Sequence, residues 1–79
     1  MDIDIKNPSD NTLCLSVHQD HEQAVVICIR NLQGQPIETI QLAPHVSSAQ
    51  YYIPQAKAGL YLLDISDKQQ HIYKKWLVK

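Results

Sequence analysis

Lys57-Ala58-Gly59-Leu60-Tyr61-Leu62-Leu63-Asp64-Ile65, followed after a polar turn by His71-Ile72-Tyr73-Lys74-Lys75-Trp76-Leu77-Val78-Lys79, decides how this chain is read. The first segment alternates with period two. Leu60, Leu62 and Asp64 share one face, and Tyr61, Leu63 and Ile65 share the other. That period belongs to a strand. The second segment alternates too, with Trp76 on the face of Ile72, Lys74 and Val78, where a core position is expected. Asp67 to Gln70 turns between them, so the pair reads as a hairpin of strands Gly59 to Ser66 and His71 to Val78.

The same period extends back through the chain, and helical periodicity is weak throughout. Ile3 to Lys6 is a first strand, ended by the turn formers Asn7-Pro8-Ser9-Asp10-Asn11. Thr12 to His18 follows with Leu13, Leu15 and Val17 on one face. Gln23 to Asn31 is apolar on both faces, as expected of a central strand. Asn31-Leu32-Gln33-Gly34-Gln35 predicts a hairpin turn in which Gly34 supplies a positive φ. Pro36 to Leu42 is more polar and fits an edge, which can spare the donor that proline lacks. Ala43 to Ala49 reads as a loop and Gln50 to Pro54 as the fifth strand, with one of Tyr51 and Tyr52 in the core and the other on the surface. Short strands at intervals of about 8 to 12 residues predict an all-β sandwich or barrel.

Seventy-nine residues make one domain, 1–79. A chain this short buries only about 60% of its unfolded surface, so the core is small. A net charge of −1 leaves no broad basic face to neutralise phosphates, which argues against nucleic acid. The charge is uneven: Lys68, Lys74, Lys75 and Lys79 lie together without an acid, whereas Asp2, Asp4 and Asp10 crowd the start. The lysines read either as protection of a sheet edge or as a recognition tail. No segment approaches the roughly 18 apolar residues of a membrane-spanning helix. Asp2 and Asp4 occupy the place of a basic leader region, so an exported protein would carry these residues as the tail of a longer precursor. If Met1 is the natural start, the chain is expected to stay in the cytoplasm.

Chemistry is sparse. His18 and His21 beside Asp20 and Glu22 lack the ligand number and spacing of a structural zinc site, and solvated loop histidines are expected. Two glycines provide no phosphate-cradling loop. Cysteines, serines and histidines are present without the surroundings of a nucleophile, so neither an enzyme nor a cofactor is expected. Asp64, in an apolar strand, is expected to be half exposed and paired with a lysine.

Four segments resemble, in order, the C-terminal sorting domain of the type IX (Por) secretion system of Bacteroidetes-type bacteria. They are Ile5-Lys6-Asn7-Pro8-Ser9-Asp10-Asn11-Thr12-Leu13, the strand and turn from Val26 to Ile37, Ala58 to Ile65 and Tyr73 to Lys79. Lys6 stands where the family often has proline, and Gln69-Gln70 replaces a glycine-bearing turn. Small secreted immunoglobulin-like domains of the same bacteria share the Gly-x-Tyr strand; the closing Lys-Lys-x-Leu-Val-Lys favours the sorting domain.

The resemblance implies an immunoglobulin-like antiparallel β-sandwich of about seven short strands with no chemistry of its own. It implies an address label at the end of a covalently attached upstream cargo, read by a secretion-machinery receptor at the outer membrane. The label would pass through the periplasm to the outer-membrane surface or the extracellular space. Carried over by position, recognition falls on Gly59, Tyr61, Lys74, Lys75, Leu77, Val78 and Lys79, with Gly59 expected to serve backbone geometry and Tyr61 the core. An exposed first or last strand is also able to pair with a second copy as a homodimer. The alternative is a secreted structural or adhesion module binding protein or carbohydrate, with Tyr51, Tyr52, Tyr73 and Trp76 as the candidate platform. A hairpin centred on His21 would set Cys14 opposite Cys28, but an immunoglobulin-like topology separates those strands into opposite sheets, so free thiols are expected.

Overall fold

In a computed structural model, residues 2–6 and 11–78 are described. They form seven strands and no helix: β1 (Ile3–Lys6), β2 (Thr12–Val17), β3 (Val25–Arg30), β4 (Pro36–Leu42), β5 (Ser48–Tyr52), β6 (Gly59–Ser66) and β7 (His71–Val78). The turn at residues 7–10 and the recognition candidate Lys79 lie outside the described residues. Every pairing is antiparallel, in one sheet of order β1-β2-β5 and a second of order β4-β3-β6-β7. This is the two-sheet arrangement of an immunoglobulin-like sandwich.

The period of two in the sequence becomes the division between inside and outside. Leu13, Leu15 and Val17 of β2 face Val25, Ile27 and Ile29 of β3 across the core, joined there by Leu63 and Ile65 of β6. No polar or charged residue is buried among the described residues. The interior is therefore held by apolar burial, worth roughly 25 cal/mol per Å². Because β2 and β3 lie in different sheets, Cys14 and Cys28 sit on opposite outer faces and both are free. The His21-centred hairpin does not form.

Two polar devices fix the turns. The Asn31 side chain accepts the N–H groups of Gln33 and Gln35 at 3.0 and 2.9 Å. Gly34, at φ 86°, donates its own N–H to the Asn31 carbonyl at 3.0 Å. The β3–β4 turn thus uses its glycine as expected. At the same end of the sandwich, Asn11 adopts φ 62° and its amide donates to the Ile53 and Ala56 carbonyls at 3.0 and 2.6 Å. A left-handed conformation is one that asparagine tolerates better than most residues.

The limits of three strands, β2, β3 and β5, differ from the sequence reading. β5 runs two residues earlier than expected, because its register against β2 extends from Thr12↔Tyr52 to Ser16↔Ser48. Ile53 is withdrawn from that ladder: it is buried and donates its N–H to the Asn11 carbonyl at 2.8 Å. β2 stops at Val17, although His18 still donates its N–H to the Asp2 carbonyl at 2.9 Å. β3 begins at Val25 because residues 18–24 form the crossover between the sheets. β3 is central as expected, yet its outer face is open to solvent, with Val26 exposed.

Candidate recognition face on the closing strand

β7 is one of the two edge strands of the four-stranded sheet and, among the described residues, pairs with β6 alone. The register sets Gly59 opposite Val78, Leu60 opposite Leu77, Tyr61 opposite Trp76, Leu62 opposite Lys75 and Leu63 opposite Lys74. Alternation then sorts the candidate residues. Trp76, at 1% exposure, and Val78 point into the core, while Tyr73, Lys75 and Leu77 point outward. Leu77 is 53% exposed. Leu60 and Leu62 are half buried beside Leu77 and Lys75, so an apolar strip with a cationic flank covers the outer face of the hairpin. The sequence reading did not assign these two leucines to the candidate set. Their place opposite Leu77 and Lys75 is set by a register that alternation alone does not supply.

Lys74 is exposed even though it lies on the inward-pointing row. Across the sandwich at this edge β7 approaches β1, and the contact between them is slight. The Asp4 carboxyl of β1 is held below its ordinary value first by the hydrogen bond from His18 at 2.7 Å and then by the charge of that ring, with Lys6 and Lys74 as the smallest contributors. An inward-pointing charge on an edge strand discourages pairing with another strand, because that charge would have to be covered.

Tyr61 holds the start of β6. It is buried, its ring lies 5.7 Å from that of Trp76 at 45°, and its hydroxyl donates to the Lys57 carbonyl at 2.7 Å. A tyrosine whose hydroxyl reaches back a few residues to the backbone is the corner device of immunoglobulin-like sandwiches. Tyr61→Phe is expected to lose about 0.5–1.5 kcal/mol in urea unfolding, the net worth of one such bond. Gly59 precedes it at φ 148°, with open space where a Cβ would stand. Gly59→Ala therefore meets no clash and is expected to cost about 1–3 kcal/mol from backbone strain alone. The same unfolding measurement reads it.

The other candidate groups are dispersed. Tyr52 (71% exposed) and Tyr73 (67%) lie on the outer faces of different sheets, Tyr51 is half buried and Trp76 is internal, so no shared aromatic platform exists among the described residues. Asp64 is held by Arg30, with Nε 3.8 Å from its carboxylate, and by His71, not by the expected lysine. Arg30 and His71 reach it from the two neighbouring strands, diagonal to their register partners. His18 bonds Asp4 on β1, whereas His21 bonds backbone carbonyls, so the two histidines do not converge. Among the described residues no group of three or more His, Cys, Asp or Glu is placed to share a metal.

The described residues thus form an immunoglobulin-like sandwich in which a lysine-bearing strand makes one edge of the larger sheet. The model of a family described as the secretion system C-terminal sorting domain matches residues 7–79. The chain belongs to that family, the sorting domains of type IX secretion. No curated protein matches the chain. Membership identifies the domain as a C-terminal secretion sorting signal. It implies attachment to a cargo protein, engagement with secretion machinery, and export through the periplasm to the cell surface or beyond. The family is not known for catalysis.

Proposed function

We propose that residues 1–79 act as one immunoglobulin-like unit that follows its cargo, and that a receptor at the outer membrane reads the outer face of the β6–β7 hairpin. The observation that carries this reading is the split within β7. Trp76 and Val78 anchor the strand from inside while Lys75 and Leu77 of the same strand face solvent. Direct contact then falls to Lys75 and Leu77, with Lys74 at the rim and Lys79 beyond the described residues. Gly59, Tyr61 and Val78 give the strand pair its shape. Docking by a face also suits the charge on Lys74, which opposes both strand addition by a receptor and edge pairing with a second copy. The route is from the periplasm to the outer-membrane surface or the extracellular space.

The test is a passenger protein with its own export leader, followed by residues 1–79, in cells with and without a type IX system. The passenger is expected outside only when both the tail and the system are present. Retention in the periplasm in every case, or release without the system, would refute the proposal.

A further inference from the structure

Both loops that cross between the sheets at one end of the sandwich, residues 18–24 and 43–47, meet at one side chain. His21 Nδ1 lies 2.9 Å from the Gln23 carbonyl and Nε2 lies 2.8 Å from the Val46 carbonyl. A carbonyl oxygen only accepts, and a neutral imidazole has a single N–H. Only the doubly protonated ring satisfies both partners. The loops are joined again at the same residue by the His45 N–H, which donates to the His21 carbonyl at 2.9 Å.

The surroundings favour a cation. From its own loop His21 faces Asp20 and Glu22, and from the β6–β7 turn Asp67. Asp2 lines the same cavity of about 290 Å³. His45, from the β4–β5 loop, is turned to Asp20 at 2.9 Å, and Lys68 lines a separate hollow beside Gln23. The bonds to Gln23 and Val46, then the charges of Asp20 and Asp67, raise the ring above the ordinary histidine range against the cost of its burial.

We propose that His21 is a proton-operated latch: protonated, it ties the two crossover loops together at the end of the sandwich where the chain enters β1, and neutral, it releases one of them. The opposite end, with Gly59 and Val78, is left unaffected. The sign follows from the raised affinity for the proton. The latch contributes its full stability below the unfolded value of about 6.5 and loses it as pH rises through the folded value.

The test uses the 79-residue chain and two NMR readouts. In ring nitrogen spectra near pH 6.5, His21 is expected to carry both protons and to titrate above that pH. Hydrogen exchange at the His45 amide, taken as a ratio to the amide of Ile27 to cancel base catalysis, is expected to rise on the order of tenfold through that titration, the worth of one charge-assisted bond. His21→Gln is expected to abolish the rise, and His45→Gln, which keeps the backbone donor, to retain it. A His21 ring that titrates at or below the ordinary value overturns the proposal even if His21→Gln fails to fold. So does a pH response that disappears with His45→Gln, since it would then belong to the His45–Asp20 pair.

Discussion

Trp76→Ala is expected to cost about 3–5 kcal/mol of stability, the range for truncating a large buried aromatic, and to abolish export with it. Small domains hold roughly 5–15 kcal/mol in all, and a chain this short lies toward the low end. The indole is the largest fully buried side chain and packs on Tyr61, which itself fixes the β5–β6 corner. Removing it empties the space between the closing hairpin and the rest of the core. Trp76→Phe separates packing from polarity. The indole N–H is buried without an acceptor among the described residues, so phenylalanine keeps a ring against Tyr61 and removes an uncompensated donor. It is expected to cost far less than alanine in thermal or urea unfolding. Deleting residues 74–79 removes Trp76 and Val78 together, so loss of export after that deletion reports unfolding as much as lost recognition.

The cleaner separation is Lys75→Glu combined with Leu77→Thr. Both side chains face outward, and their cross-strand neighbours Leu62 and Leu60 are only half buried. Such surface pairs contribute less than about 1 kcal/mol, so the urea midpoint of the double variant is expected to stay near that of the parent. Export of a fused passenger is expected to fall on the order of tenfold or more, because a reversed charge at a docked position costs several kcal/mol. Tyr52→Thr, a change of similar exposure on the outer face of the other sheet, is expected to leave export intact. The fraction of passenger accessible to protease at the cell surface measures both variants against the parent.

What was legible in the sequence followed from local rules. β4 starts at Pro36, β6 starts at Gly59, and both end where alternation ends, so their limits coincide with the reading. The outward placement of Lys75 and Leu77 and the inward placement of Trp76 follow from the same period. β5 was misplaced because Ile53 continues the alternation of Tyr51, while its fate is set by Asn11, 42 residues away. The expected partner of Asp64 was a lysine by composition, but the sheet order brings Arg30 and His71 beside it. Lys74 alternates inward and still reaches solvent, at an edge where the contact between β7 and β1 across the sandwich is slight. The histidines read as solvated loop residues. One ring nitrogen of His21 meets the nearby Gln23 carbonyl, but the other meets Val46, from a loop 25 residues distant. In each case the missing information was tertiary, and no periodicity in one strand contains it.

The most direct test of the face-docking account places a photocrosslinking side chain at position 75 of the fused, exported protein, and in parallel at position 16 on the outer face of the other sheet. Crosslinking from position 75 to an outer-membrane component, only in cells with a type IX system and not from position 16, is the predicted result. Equal crosslinking from both positions, or none from position 75 in a protein that is still exported, would contradict it.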